Sequence, residues 1–138
     1  MNLSEAELKR CFQHDQFAAL ANIELLTAGP GHATARMTLR PHHLNGLNTV
    51  HGGAIFTLAD FTFAVACNSH GTMAVALEAS IVFMKAATTG TLWAEAREKS
   101  KNLKVGLYLV EVKDDQGDVV AQFQGVAYRK KERLPVQG

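Results

Sequence analysis

The run from Ala54 to Cys67, AIFTLADFTFAVAC, constrains this chain more than any other stretch. Nearly every position is Ala, Ile, Leu, Val or Phe, broken by two threonines and one aspartate, Asp60. The segment is apolar on all sides rather than along one stripe, the pattern of a helix enclosed by other structure. It is about four residues too short to span a membrane, even with the aspartate ignored. The expectation is a buried helix over residues 53–69 that has to accommodate a carboxylate. An unpartnered buried acid is unfavourable, so Asp60 needs a hydrogen-bond partner or a function.

The 138 residues suit a single domain, residues 1–138. With 14 basic against 13 acidic residues, nothing marks the chain as a nucleic-acid binder or a membrane-surface protein. The opening MNLSEAELKR carries acidic residues and lacks an apolar core of signal-peptide length, so it reads as mature sequence and the expected location is cytoplasmic. Two cysteines, Cys11 and Cys67, make no disulfide framework, and no Cys or His pair stands at a metal-ligand spacing. The expectation is reduced thiols, no metal and no cofactor. His42 and His43 are adjacent, which on a strand sends them to opposite faces.

Along the chain, Ser4 and Glu7 stand at capping-box spacing, so a peripheral helix is expected from Glu5 to about His14. A short strand near Ile23 to Leu26 precedes the turn sequence AGPGH. In ATARMTLR, Ala33, Ala35, Met37 and Leu39 alternate with polar residues, a half-buried strand ended by Pro41. After the apolar helix, Met73 to Met84, Leu92 to Glu98, Val105 to Lys113 and Val119 to Tyr128 all show period two, and DDQG at 114–117 reads as a hairpin turn. The fold class is therefore α+β: one long buried helix wrapped by a curved antiparallel sheet of five or six strands, the last four forming a meander.

Asp60 has a bland reading, a hydrogen bond from Thr57 three residues back. Against it, Asp60 is the only Asp, Glu, Lys or Arg between Arg40 and Glu78, in a position where apolar residues would bury more easily. The HGG at 51–53 also reads two ways, as turn chemistry or as a helix start whose bare N–H groups meet a carbonyl oxygen at the positive end of the helix dipole. A dyad of His51 and Asp60 fails on geometry. Nine helical residues place them on opposite faces and about 13 Å apart along the axis. His51 is expected to bond nearby backbone and, with Gly53, to border the place where a substrate would lie. Gly52 and Asp60 are about 12 Å apart along one helix, too far to act on one carbonyl. Two helices packed antiparallel across a twofold axis would bring Gly52 of one chain to Asp60 of the other, so an obligatory homodimer with shared sites is expected.

The stretch LNGLNTVHGGAIFTLADFTFAVACNSHG resembles the hotdog-fold thioesterases, and among them the phenylacetyl-CoA thioesterase group of phenylacetic acid degradation. The resemblance covers most of the chain and implies hydrolysis of an acyl-CoA to a free acid and CoA, with a phenylacetyl-like group favoured. It implies Asp60 as nucleophile or general base and the Gly52 N–H as carbonyl donor. Asn45, in the preceding loop, would help hold that carbonyl. A serine that positions water in some relatives is matched here by Ala76, so that assistance is absent or comes from elsewhere. Kinship further implies a homotetramer, a pair of such dimers.

For the acyl group, Phe56 and Phe63 lie seven apart on one side of the helix, near enough to Asp60 to wall a pocket. For the CoA phosphates, Arg97, Lys99, Lys101 and Lys104 gather on one hairpin, with Lys101 and Asn102 the chosen contacts. A non-catalytic acyl-CoA-binding module is the alternative, but pure binding has no need of the buried acid. A hotdog dehydratase would need a paired catalytic histidine, which His51 cannot supply within its own chain. Nucleic-acid binding lacks interleaved aromatics in the basic hairpin.

Overall fold

The computed structural model describes residues 1–136. Alternating apolar side chains build one six-stranded sheet. Its strands are β1 (Ile23–Gly29), β2 (His32–Thr38), β3 (Thr72–Phe83), β4 (Thr91–Lys101), β5 (Val105–Lys113) and β6 (Val119–Arg133). The spatial order is β1-β2-β4-β5-β6-β3, and every pairing is antiparallel. The expected meander therefore holds for β4, β5 and β6 but not for β3. The chain leaves the long helix at the far edge, so β3 pairs only with β6, and the 84–90 connection returns across to set β4 beside β2.

Among the described residues there are three α-helices: α1 (Glu5–Phe12), α2 (Gln16–Leu20) and the long α3 (Gly52–Asn68). The Ser4–Glu7 capping box forms as expected, with Ser4 Oγ accepting from Glu7 N–H and the Glu7 carboxylate from Ser4 N–H. The helix stops at Phe12, two residues early, because Asp15 caps α2 by accepting the Ala18 N–H at 3.0 Å. His42 and His43 lie in a 3-10 turn (Pro41–His43) with their rings 4.3 Å apart, not on opposite faces of a strand. Pro41 starts that turn because its fixed φ suits a helical first position.

The sheet curves around α3, whose Leu58, Ala59, Phe63, Val65 and Ala66 are fully buried against it. Phe63 packs edge-on to Tyr108 with centroids 5.6 Å apart and against Phe123 at the same distance. The helix is not enclosed on every side. Gly53, Thr57, Asp60 and Ala64 form a stripe that stays partly open. The hairpin turn at 114–117 is formed as read, its Asp114 carboxylate accepting from Gln116 and Asp118 N–H groups, and Gly117 takes a positive φ of 83°.

Candidate active site

The helix start sets the first half of the site. His51 is the N-cap of α3, and its Nδ1 accepts the Gly53 N–H at 2.8 Å. A side chain on Gly53 would press on that ring, with the added carbon 3.0 Å from His51 Nδ1. The Gly52 N–H has no acceptor among the described residues. A side chain on Gly52 would stand 3.2 Å from the Phe83 ring at the end of β3. That glycine lines a largely apolar depression of about 400 Å³ walled by Val50, Ile55, Phe83, Met84 and Ala87, with Lys85 also at its wall. A free N–H at a helix N-terminus in an apolar setting is suited to meeting a developing negative oxygen.

The loop before the helix is folded by Asn45. Its Oδ1 accepts from Leu47 and Thr49 N–H groups, and its Nδ2 donates to Thr49 Oγ1 at 3.0 Å. A bridge between Leu44 and Val50 closes this loop beside His51. One Asn45 N–H remains beyond these bonds.

The second half is Asp60. The bond from Thr57 that the bland reading offers does not form, because the Thr57 hydroxyl donates to the Gly53 carbonyl at 2.7 Å instead. Asp60 is half-buried, and burial first, then the negative charge of Asp15, holds its carboxyl above the usual aspartate range. No hydrogen bond pulls the other way. The environment thus makes a stronger base of Asp60 at neutral pH. Sequence reasoning missed Asp15 because capping chemistry marks the start of a helix but not what that helix packs against.

Phe56 and Phe63 do share a side of α3, but it is the side that meets the sheet. Phe63 is 1% exposed and belongs to the core, whereas Phe56 is partly buried and packs edge-on to Phe123 at 5.3 Å. Lys101 and Asn102 lie at the β4–β5 turn, by the end of α3 away from Gly52. Asn102 Oδ1 accepts from Lys104 and Val105 N–H groups, and the Arg129 guanidinium ties the turn to β6 through the Asn102 carbonyl at 2.8 Å. Asn102 therefore builds the turn, while Lys101 and Lys104 stay exposed. A larger groove of about 450 Å³, lined by Glu95, Arg97, Leu109 and Glu111, lies on the sheet face turned away from the helix and touches neither Gly52 nor Asp60. Among the described residues no group of three His, Cys, Asp or Glu side chains could hold a metal ion.

Residues 47–121 match the family model described as the thioesterase superfamily. Over 119 residues, 86% of this chain and 85% of the relative, the chain is 36% identical to the acyl-coenzyme A thioesterase PaaI of Escherichia coli. The solved structure of the E. coli PaaI protein from the phenylacetic acid degradation operon superposes with a TM-score of 0.89 at 31% identity, covering 96% of this chain and 100% of that one. A Streptococcus mutans protein solved bound to acetyl CoA superposes with a TM-score of 0.77 at 26% identity, over 81% of this chain and 91% of that one. The helix wrapped by its sheet and the HGG turn at its start, taken with these matches, place the chain in the thioesterase superfamily, as a hotdog-fold thioesterase of the PaaI-like type.

Proposed function

We propose that this chain hydrolyses an aryl- or medium-chain acyl-CoA, with a phenylacetyl-like group favoured, in sites shared between two subunits. The observation that carries the reading is the pairing of a half-buried, unbonded carboxylate with an unused N–H on the same apolar helix. Asp60 acts as nucleophile or as the base that takes a proton from water. In the base route, water oxygen bonds to the thioester carbon and the carbonyl electrons move onto oxygen, where the Gly52 N–H of the partner subunit meets them. The tetrahedral species then collapses, the carbon–sulfur bond breaks, and the CoA thiolate leaves with the proton. Thiolate is a far better leaving group than an amine, so a carboxylate and an oxyanion donor suffice without a full triad.

The twofold partner is supported by β3. It is a sheet edge of 12 residues, bonded on one side only, with Val75, Leu77, Val82 and Phe83 exposed along it. A long apolar edge is a template for pairing with another strand. Joining two copies there sets the open stripes of two α3 helices side by side, with Asp60 of each towards Gly52 of the other. His51, Gly53 and the remaining Asn45 N–H border the carbonyl in this reading. The exposed Lys101 and Lys104 offer charge to the CoA phosphates. Residues 1–138 act as one domain, the protein works in the cytoplasm, and dimers pair into tetramers. No helix among the described residues is long and apolar enough to cross a membrane.

The test compares wild type with Asp60→Asn on a panel of aryl and aliphatic acyl-CoAs, following free thiol. Wild type should release CoA, and Asp60→Asn should lose roughly a thousandfold in kcat while remaining folded. Near wild-type turnover in the variant would refute the role of Asp60, and a strict monomer that is active in the assay would refute the shared site. Binding without hydrolysis by both proteins would favour the binding-module alternative. Lys101→Glu should raise KM several-fold at unchanged kcat if its charge faces CoA.

A further inference from the structure

His43 takes no part in the chemistry above, yet it is bonded both to the turn before Gly52 and to the short helix whose Asp15 acts on Asp60. Its ring is 3% exposed. Nδ1 accepts the Arg40 N–H at 2.9 Å, and Nε2 lies 2.6 Å from the Ala21 carbonyl oxygen. A nitrogen that accepts carries no proton, and one that faces a carbonyl oxygen must carry one, so the ring is the neutral Nε2–H tautomer.

The Ala21 carbonyl belongs to the C-cap of α2. Five residues are too few to hold a helix by themselves, so α2 depends on its two ends. At one end is the Asp15 cap, whose carboxylate acts on Asp60. At the other is His43. The backbone of His43 points elsewhere: its carbonyl accepts the His51 N–H at 2.7 Å, and His51 caps α3 through Gly53 while the Gly52 N–H stays open. The side chain of His43 thus fixes the element beside Asp60, and its main chain fixes the turn that presents Gly52.

We propose that His43 is a positioning residue of the thioesterase site, setting α2 and the HGG turn relative to each other. In a dimer with shared sites, each chain's His43 bears on both: on one through its Gly52 and on the other through its Asp60. The inference rests on the thioesterase reading above.

The test uses three substitutions in the full-length protein, assayed well below the melting temperature with folding and assembly checked by circular dichroism and light scattering. His43→Leu removes both side-chain bonds. His43→Gln can return an amide N–H to the Ala21 carbonyl, and His43→Asn can return an oxygen to the Arg40 N–H. Misplacement of site groups by fractions of an ångström to an ångström lowers turnover steeply, so His43→Leu should lose roughly ten- to a hundredfold in kcat with KM changed less than threefold. Gln and Asn should each recover part of that loss. A folded His43→Leu protein with a lower melting temperature but wild-type kcat would show a merely structural residue and overturn the proposal. Should His43→Leu not fold, wild-type kcat in both His43→Gln and His43→Asn overturns it equally. Wild type and Asp60→Asn are the controls: if wild type releases no CoA the thioesterase reading has failed, if turnover does not depend on Asp60 the role of Asp60 has failed, and this inference falls with either. If turnover does depend on Asp60 while the His43 variants match wild type, only the inference has failed.

Discussion

The two ends of α3 are built on opposite terms. At the C-terminal end, Asn68 Nδ2 donates to the carbonyls of Ala64 (2.8 Å) and Ala74 (3.2 Å), and its Oδ1 accepts the Ala74 N–H at 2.8 Å. Ser69 Oγ donates to the Ala66 carbonyl at 2.6 Å and accepts the Gly31 N–H at 2.8 Å. His70 Nε2 meets Glu98 at 2.6 Å, and the same carboxylate oxygen accepts from the Tyr108 hydroxyl at 2.6 Å. Burial pushes Glu98 upward, but the bonds from Tyr108 and His70 more than offset it and leave its carboxyl below the usual range. In the other half, from the first residue to the midpoint, the Gly52 N–H is unused and Asp60 has no bond. On the proposed reading, the contrast separates anchoring from chemistry within one helix. The saturated end holds the helix in the sheet, so the open end can keep a donor and an acid unsatisfied at some loss of stability.

Substitutions should fail differently at the two ends. The largest effect on stability belongs to the anchored end. Asn68→Ala removes the three bonds above, together with a weak contact to Cys67 Sγ, and leaves the buried Ala74 N–H without its side-chain acceptor, a loss of about 3 kcal/mol in a denaturant titration, while kcat per folded molecule should stay near wild type. If Asn68→Ala instead loses turnover at unchanged stability, the division of labour is wrong. The smaller effect has the opposite sign. The raised pKa of Asp60 means that, between its ordinary and its folded value, the native chain holds a proton the unfolded chain has released, so stability falls as pH rises through that window. Asp60→Asn removes that penalty. The variant should melt above wild type at pH 8, and the gap should close as pH falls to about 4, the ordinary aspartate value. A variant that melts lower at pH 8 would mean that the carboxylate has stabilising partners, and the two ends would then be less different than they look.

The sequence made the strands legible because alternation is a local signal, and it made α3 legible because an apolar run of that length has few other uses. It could not order the sheet. Period two identifies a strand without naming its neighbours, so β3 was placed next to β4 when it lies beyond β6. It also missed α2 and the turn at His43, both too short to show a period and both held by tertiary bonds such as that from His43 to Ala21. At the candidate site, helix arithmetic correctly kept His51 away from Asp60 and bonded it to nearby backbone. The arithmetic could not see that Thr57 has a carbonyl within reach four residues back and so leaves Asp60 alone. Nor could it see that Phe63 turns into the sheet.

The edge of β3 is bare in the single chain. In the dimer proposed above, a newly made chain that has folded but not yet met a second copy shows an open strand carrying Val75, Leu77, Val82 and Phe83. Such an edge invites contact with any other extended polypeptide nearby. On that proposal the soluble yield depends on how quickly copies encounter one another, and dilute synthesis should waste more chains than abundant synthesis.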